Sequence, residues 1–247
     1  MVSKTGLSLN VVPFTCVFAS VFFSIPVIYE MSSYKDHGFY THQPYLGEVI
    51  KNTTGNILEC GCGDGSTHMI REFIKGTDRK LVSLESDIGW LSKYTHLADN
   101  NHKLYHVNAG NDDTVETGNK WVECIQNLPE QLEYDVVFLD STPWMSRKCG
   151  FDYFLDKAKL IVIHDFDYFP NNNIIGITTH KEVVNGKEKI ECDMWGIVNH
   201  WKLFYPPYKY FVGLTGPPTL VCSNTMESKE FDELIKGISE KEATYWA

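Results

Sequence analysis

No C-x-x-C pair occurs in the 247-residue chain, no run of Lys and Arg exceeds two residues, and no segment repeats or is of low complexity. The first absence removes the usual opening of a zinc site. The seven cysteines, an odd number scattered from Cys16 to Cys222, read as reduced thiols, which sets the expected location as cytoplasmic. The second absence, with a formal net charge of −10, excludes a clustered basic face for nucleic acid, because counterion release needs one. Arg79-Lys80 and Arg147-Lys148 are the basic pairs, and pairs of this kind usually lie on a solvated surface. Without repeats, a solenoid is excluded, and the length suits one α/β domain.

Charge is missing altogether between Lys4 and Glu30. Residues 11–29, VVPFTCVFASVFFSIPVIY, are long and apolar enough to cross a bilayer, although Pro13, Pro26 and the single flanking Lys4 argue against it. Two readings stay open. Either this segment anchors the protein to a membrane, or residues 1–30 are an upstream extension and the native chain starts at Met31. A packed, non-membrane segment is a third. The expected organisation is therefore an apolar segment over 1–30 and a single domain over 31–247.

From residue 44 the pattern alternates between helix and strand, which predicts a mostly parallel sheet covered on both faces. Expected strands are NILEC, KLVSLES, KLYHVNA, YDVVFLD and KLIVIHD, with helices over Pro44–Lys51, STHMIREFIKG, IGWLSKYTHLA, VETGNKWVECIQNL and GFDYFLDKA between and before them. KYFVGLTGPPTLVCS resembles an antiparallel pair joined at Gly216-Pro217-Pro218, and SKEFDELIKGISEKE predicts a polar terminal helix.

After the first strand stands ILECGCGDGSTH, with Gly61, Gly63 and Gly65 at alternate positions. The third glycine of the dinucleotide fingerprint is lacking, since position 66 is serine, so a nicotinamide or flavin reading fails. A bare turn running into a helix offers unpaired N–H groups and room for close approach. Glu59 ends the first strand and Glu85 the second. A carboxylate beside the loop would repel a pyrophosphate and suits a cation, while an acid at the second strand's end can accept hydrogen bonds from a ribose diol. S-adenosylmethionine combines an adenosine ribose, an ammonium and a sulfonium.

ILECGCGDGS, LVSLES, LYHVNAGNDD and YDVVFLDSTPW occur in the order and spacing of class I S-adenosylmethionine-dependent methyltransferases, which this chain resembles over roughly residues 40–170. The resemblance implies a Rossmann-like, mostly parallel sheet with an antiparallel C-terminal strand and helices on both faces. It further implies that Glu59 lies near the methionine ammonium, that Gly61, Cys62, Gly63, Gly65 and Ser66 line the donor, and that Thr67 caps the helix near its carboxylate. Glu85 and Ser86 would meet the ribose and Asn111 and Asp112 the adenine, with Asp140 a further donor-binding residue.

Methyl transfer to a hydroxyl needs positioning and removal of a proton. Asp140 closes the fourth strand, and His164, Asp165 and Asp167 close the fifth. Convergent carboxylates raise one another's pKa, a conflict that Mg²⁺ or Mn²⁺ on Asp140, Asp165 and Asp167 would resolve. That arrangement is similar to metal-dependent O-methyltransferases acting on catechols and macrolide sugars, with two departures: Phe166 splits the acidic pair, and Pro143 stands where the catechol enzymes place a lysine base. His164 is the first choice of base, with Asp140 or Asp165 next. Trp144, Tyr168 and Phe169 would form an aromatic wall beside the acceptor, with Arg147 as a further substrate contact.

DSTPW replaces the Asn/Asp-Pro-Pro-aromatic motif of amine-methylating members, which favours an oxygen acceptor. FLDSTPW and IVIHDFDYFPNN also resemble small methyltransferases of large algal DNA viruses and bacterial glycan clusters, which implies a sugar hydroxyl of a glycan. The alternatives are a phenolic or other small hydroxyl compound, an aminopropyl transfer on the same sheet, or a donor-binding protein without turnover. Partners are then a small molecule or glycan, with a membrane involved only if residues 11–29 anchor the chain. If residues 1–30 are an extension, a chain starting at Met31 stays soluble and keeps its donor affinity. Loss of cooperative unfolding in that truncation would show that the segment belongs to the fold.

Overall fold

The computed structural model describes residues 40–166, 178–184, 187–193, 197–205 and 217–245. Residues 1–39 lie outside these, so the readings of the apolar segment are not addressed. Among the described residues no helix is long and apolar enough to cross a membrane.

Seven strands form one sheet in the order β3-β2-β1-β4-β5-β9-β8. They are β1 (Asn56–Cys60), β2 (Leu81–Glu85), β3 (His102–His106), β4 (Tyr134–Leu139), β5 (Leu160–Ile163), β8 (His200–Phe204) and β9 (Thr219–Ser223). The first five run parallel, and β9 pairs antiparallel with both β5 and β8. This is the Rossmann-like sheet with an antiparallel C-terminal element that the sequence implies. A separate antiparallel hairpin joins β6 (Thr178–Val184) to β7 (Lys187–Asp193).

Period-two alternation splits the strand side chains between two helical layers. Ile57, Leu81, Val136, Phe138 and Val162 face α1 (Gln43–Lys51), α2 (Thr67–Ile74) and α6 (Ser228–Tyr245). Leu58, Val82, Val137, Leu139 and Ile161 face α4 (Val115–Gln126) and α5 (Trp144–Phe154). Each of these side chains, fully buried, contributes about 1.5–3 kcal/mol. The terminal helix is polar on one side only, because Phe231, Leu234 and Ile238 are spaced to meet the sheet.

Three elements depart from expectation. The helix expected over residues 88–98 shrinks to α3 (Ile88–Leu91) and a single 3₁₀ turn at Thr95–Leu97. Its hydroxyls bond backward, Ser92 Oγ to the Gly89 carbonyl and Thr95 Oγ1 to that of Ser92, and such local bonds compete with the helical ladder. Helix α5 starts six residues before the expected Gly150. Asp113 accepts the Met145 N–H at 2.6 Å, and Gly150 lies inside the helix, where a Cβ would meet Leu139 at 3.1 Å. Strand β9 exists as expected, but among the described residues its antiparallel partners are β5 and β8; residues 206–216 lie outside the description.

Gly61 shows what the alternate glycines do structurally. It has φ +96°, and a Cβ would stand 2.5 Å from the Asp140 carbonyl oxygen, so bareness here lets the end of β1 pass the end of β4. Gly61→Ala is expected to cost more than about 2 kcal/mol in denaturant unfolding, from the left-handed conformation and the backbone clash together. A loss below about 0.5 kcal/mol would show that the two strand ends can separate freely.

Candidate active site

The sequence-derived residues gather at the C-terminal ends of β1, β2, β4 and β5. The strand order reverses between β1 and β4, the point at which open α/β sheets leave a crevice. Of the three glycines, only Gly63 borders open space, its nearest added-Cβ contact being Ser66 Oγ at 3.5 Å. At Gly65 a Cβ would collide with Tyr40 at 2.5 Å and approach His42 at 3.2 Å. Ligand approach is thus a property of Gly63, while Gly61 and Gly65 serve chain packing.

Glu59 is fully buried beneath the loop. Ser66 Oγ donates to it at 2.5 Å, Ser83 Oγ at 2.6 Å and Thr67 Oγ1 at 3.0–3.1 Å. Thr67 Oγ1 in turn accepts the Gly63 N–H at 2.9 Å. His102 Nε2 lies 2.9 Å from Ser83 Oγ and must donate to it, since the serine proton goes to Glu59. Three hydroxyls cover the Glu59 carboxylate, expected near an ammonium, and it lies buried beneath the loop. Burial pushes its pKa up to about 7, against the lowering effect of the three hydroxyl bonds.

Glu85 has a different environment. It is 8% exposed, with Oε2 accepting the Cys62 N–H at 3.1 Å and Oε1 the Asp87 N–H at 2.8 Å. Burial raises its pKa while those backbone bonds oppose the rise. Oε2 keeps an accepting position for a further donor. Beside it Ile88 is 63% exposed, an apolar side chain that the sequence reading passed over as helical; its position three residues past the acid was the available signal. Ser86 Oγ donates to the Thr142 carbonyl at 3.2 Å, linking the β2 and β4 ends. Asn111 and Asp112 are exposed in the loop after β3.

Asp140, His164 and Asp165 do converge. His164 Nδ1 is 3.2 Å from Asp140 Oδ1, and its Nε2 is 2.9 Å from Thr41 Oγ1 and 3.4 Å from Asp165 Oδ1. Thr41 spends its hydroxyl proton on the Pro217 carbonyl at 2.9 Å, so it accepts from Nε2–H. Nδ1, facing a carboxylate, must also carry a proton, and the pattern assigns an imidazolium. Burial opposes that charge, but Asp140 and Asp165 overcome it and raise the His164 pKa. At Asp140 burial likewise works against ionisation, and His164 and Arg147 outweigh it, holding the carboxyl at about 2. Thr41, His164 and Asp140 follow the contact order of a nucleophile–base–acid triad, with Thr41 buried and its proton directed to the Pro217 carbonyl.

Arg147 is a second correction. Its side chain is 3% exposed and pairs with Asp140 at 3.0 Å and Asp165 at 3.4 Å, so it supports the acids from within and does not meet an acceptor. Its guanidinium lies 4.2 Å from the ring of Trp144, which is half-buried at the rim. Asp165 has φ +50°, a left-handed backbone that an aspartate tolerates at a cost of about 1–2 kcal/mol. Asp167, Tyr168 and Phe169 lie outside the described residues.

Mg²⁺ and Mn²⁺ take sets rich in oxygen donors. Among the described residues the group able to hold a metal is His42, Asp140 and His164, two imidazoles and one carboxylate, which is not the oxygen-rich set those ions take. Both nitrogens of buried His42 lack a hydrogen-bond partner, and burial first, then His164, lowers its pKa to about 3. The Gly65 backbone lies against its ring and slightly raises that pKa without reaching hydrogen-bond geometry. Between Asp140 and Asp165 the space is taken by Arg147. The described residues do not fit the expected ion.

Glu59 generates a pH test. Below about pH 4.5 folded and unfolded chains both carry its proton; as pH rises to about 7 only the unfolded chain ionises, and stability falls by roughly 3 kcal/mol. Denaturant midpoints followed from pH 4.5 to 7.5 should show this decline, and Glu59→Gln should flatten it. An unchanged slope in the variant would assign the decline to another group.

No family model and no curated protein matches the chain. Among solved structures it is similar to a spermidine synthase from Thermotoga maritima, with 14% identity, 86% of this chain and 72% of that one covered, and a TM-score of 0.46. It is also similar to human methyltransferase-like protein 13 in complex with SAH, with 13% identity, coverage of 83% and 89%, and a TM-score of 0.42. Likeness at that level is one of general layout, and the chemistry of the site rests on this chain's own residues.

Proposed function

We propose that the chain binds S-adenosylmethionine over the Gly63 turn and transfers its methyl group to a hydroxyl, with a sugar hydroxyl of a glycan as the acceptor. The observation that carries this is the pairing of an open backbone turn at the switch point with Glu85, whose carboxylate retains an accepting position beside exposed Ile88. A ribose hydroxyl donates to Glu85, and the adenine has an apolar surface on Ile88 with Asn111 and Asp112 beyond it. Cys62, Ser66 and Thr67 hold the loop that receives the methionine end.

Methyl transfer breaks the bond from sulfonium to methyl and forms one from the acceptor oxygen to that carbon, releasing a neutral thioether and a proton. In this proposal Asp165 takes the proton. His164 is already protonated, and Asp140 carries both Arg147 and His164, whereas the Asp165 carboxylate has only longer contacts, each at 3.4 Å. Trp144, backed by the guanidinium, offers its ring to the face of a sugar. A divalent ion is not carried into the reading, because Arg147 stands between the acids it would join.

Calorimetry with S-adenosylmethionine and its demethylated product should give saturable heat, weakened by Gly63→Ala without loss of stability. With monosaccharides, a catechol or buffer alone as acceptor, release of S-adenosylhomocysteine should follow the sugar. Asp165→Asn should lower turnover about 10²–10⁴-fold with donor affinity unchanged within about twofold. Absence of heat with both ligands removes the reading; heat without product on any acceptor leaves a binding protein.

A further inference from the structure

We propose that Arg147 takes the place of a divalent cation: its guanidinium joins the strand-end aspartates, and the site works without a metal. The part concerning turnover rests on the methyl-transfer reading; the part concerning metal affinity stands independently of it.

The guanidinium is held at every nitrogen. Nε donates to the Ser141 carbonyl at 2.7 Å; Nη1 donates to the His164 carbonyl at 2.6 Å and faces Asp165 Oδ2 at 3.4 Å. Nη2 faces the Asp140 carbonyl at 3.3 Å and Asp140 Oδ1 at 3.0 Å. Each of the three guanidinium nitrogens has a hydrogen-bond acceptor. A planar fork can bridge two carboxylates and three backbone carbonyls at once, which a lysine ammonium cannot.

Asp140 and Asp165 both pair with Arg147, so a divalent ion joining the two carboxylates would lie against a buried guanidinium. Nor can the ion enter by displacement alone, since Arg147 would have to leave a pocket in which its side chain is 3% exposed. Arg147 is thus a positioning residue. It fixes the two carboxylates and the ends of β4 and β5 relative to the crevice.

Manganese alone is the probe, read by electron paramagnetic resonance on the full chain without donor or acceptor. The wild type should bind no stoichiometric Mn²⁺ at the micromolar level. Arg147→Met frees two carboxylates and should gain Mn²⁺ affinity by at least about tenfold, a gain that Arg147→Met/Asp165→Asn loses. Arg147→Lys keeps a charge in the pocket and should stay near wild type in Mn²⁺ affinity. Should the arginine variants fail to fold, the wild type still decides: turnover should survive excess chelator unchanged. One equivalent of tightly held Mn²⁺ on the wild type, lost in Asp165→Asn, overturns the proposal, as does chelator-sensitive turnover restored by Mg²⁺. No gain in a folded Arg147→Met variant overturns it too. If no donor binds while the Mn²⁺ results hold, the methyl-transfer reading fails and the assignment of Arg147 stands.

Discussion

Two parallel strands that end in aspartates a few ångströms apart place negative charge where little water reaches it, and such charge must be met from within the protein. Arg147 meets it. From α5 its guanidinium reaches Asp140, Asp165 and the carbonyls of Ser141 and His164, so one side chain fixes the ends of β4 and β5 together. The rest of the crevice inherits its geometry from that bridge. A Cβ on Gly61 would stand 2.5 Å from the Asp140 carbonyl oxygen, and Nη2 of Arg147 lies 3.3 Å from that same oxygen. The same two acids raise the His164 pKa.

The two glutamates at the strand ends look alike in sequence and do different work. Glu59 points under the loop and is enclosed by Ser66, Thr67 and Ser83, while Glu85 lies at the edge with backbone N–H bonds and part of its accepting capacity left over. A relay of hydroxyls from His102 through Ser83 and Glu59 to Thr67 reaches the N–H of Gly63, the one glycine of the three that faces open space. The Glu59 carboxylate is thus tied to the shape of the turn, and at the far end of the network His102 Nδ1 is buried without a hydrogen-bond partner.

Much of the layout was legible in the chain. Four of the five parallel strands fall within two residues of their expected limits and the third ends three residues early, because each is a short apolar run bounded by turn residues. Asp140, His164 and Asp165 converge, because residues closing neighbouring parallel strands share one edge of a sheet. Where expectation failed, contacts distant in sequence had overridden local pattern. Gly150, where the helix was expected to start, lies inside α5 against Leu139, and the turn after Ile88 carries the anchoring of Trp90 Nε1 on the Cys62 carbonyl beside its local hydroxyl bonds. Nothing in the spacing of Arg147 distinguishes a rim contact from a buried cation.

The sequence by itself determined the alternation of strand and helix, the acids at the strand ends and the bare turn, since these follow from hydrophobic period and residue type. Tertiary structure alone decided what those acids face. Whether a carboxylate meets a ligand, a metal or a guanidinium depends on which side chains from other elements reach it first. At Asp140 the first to arrive are Arg147 from α5 and His164 from β5's end, and the desolvated pair they form leaves the protein's own cations where a metal had been expected.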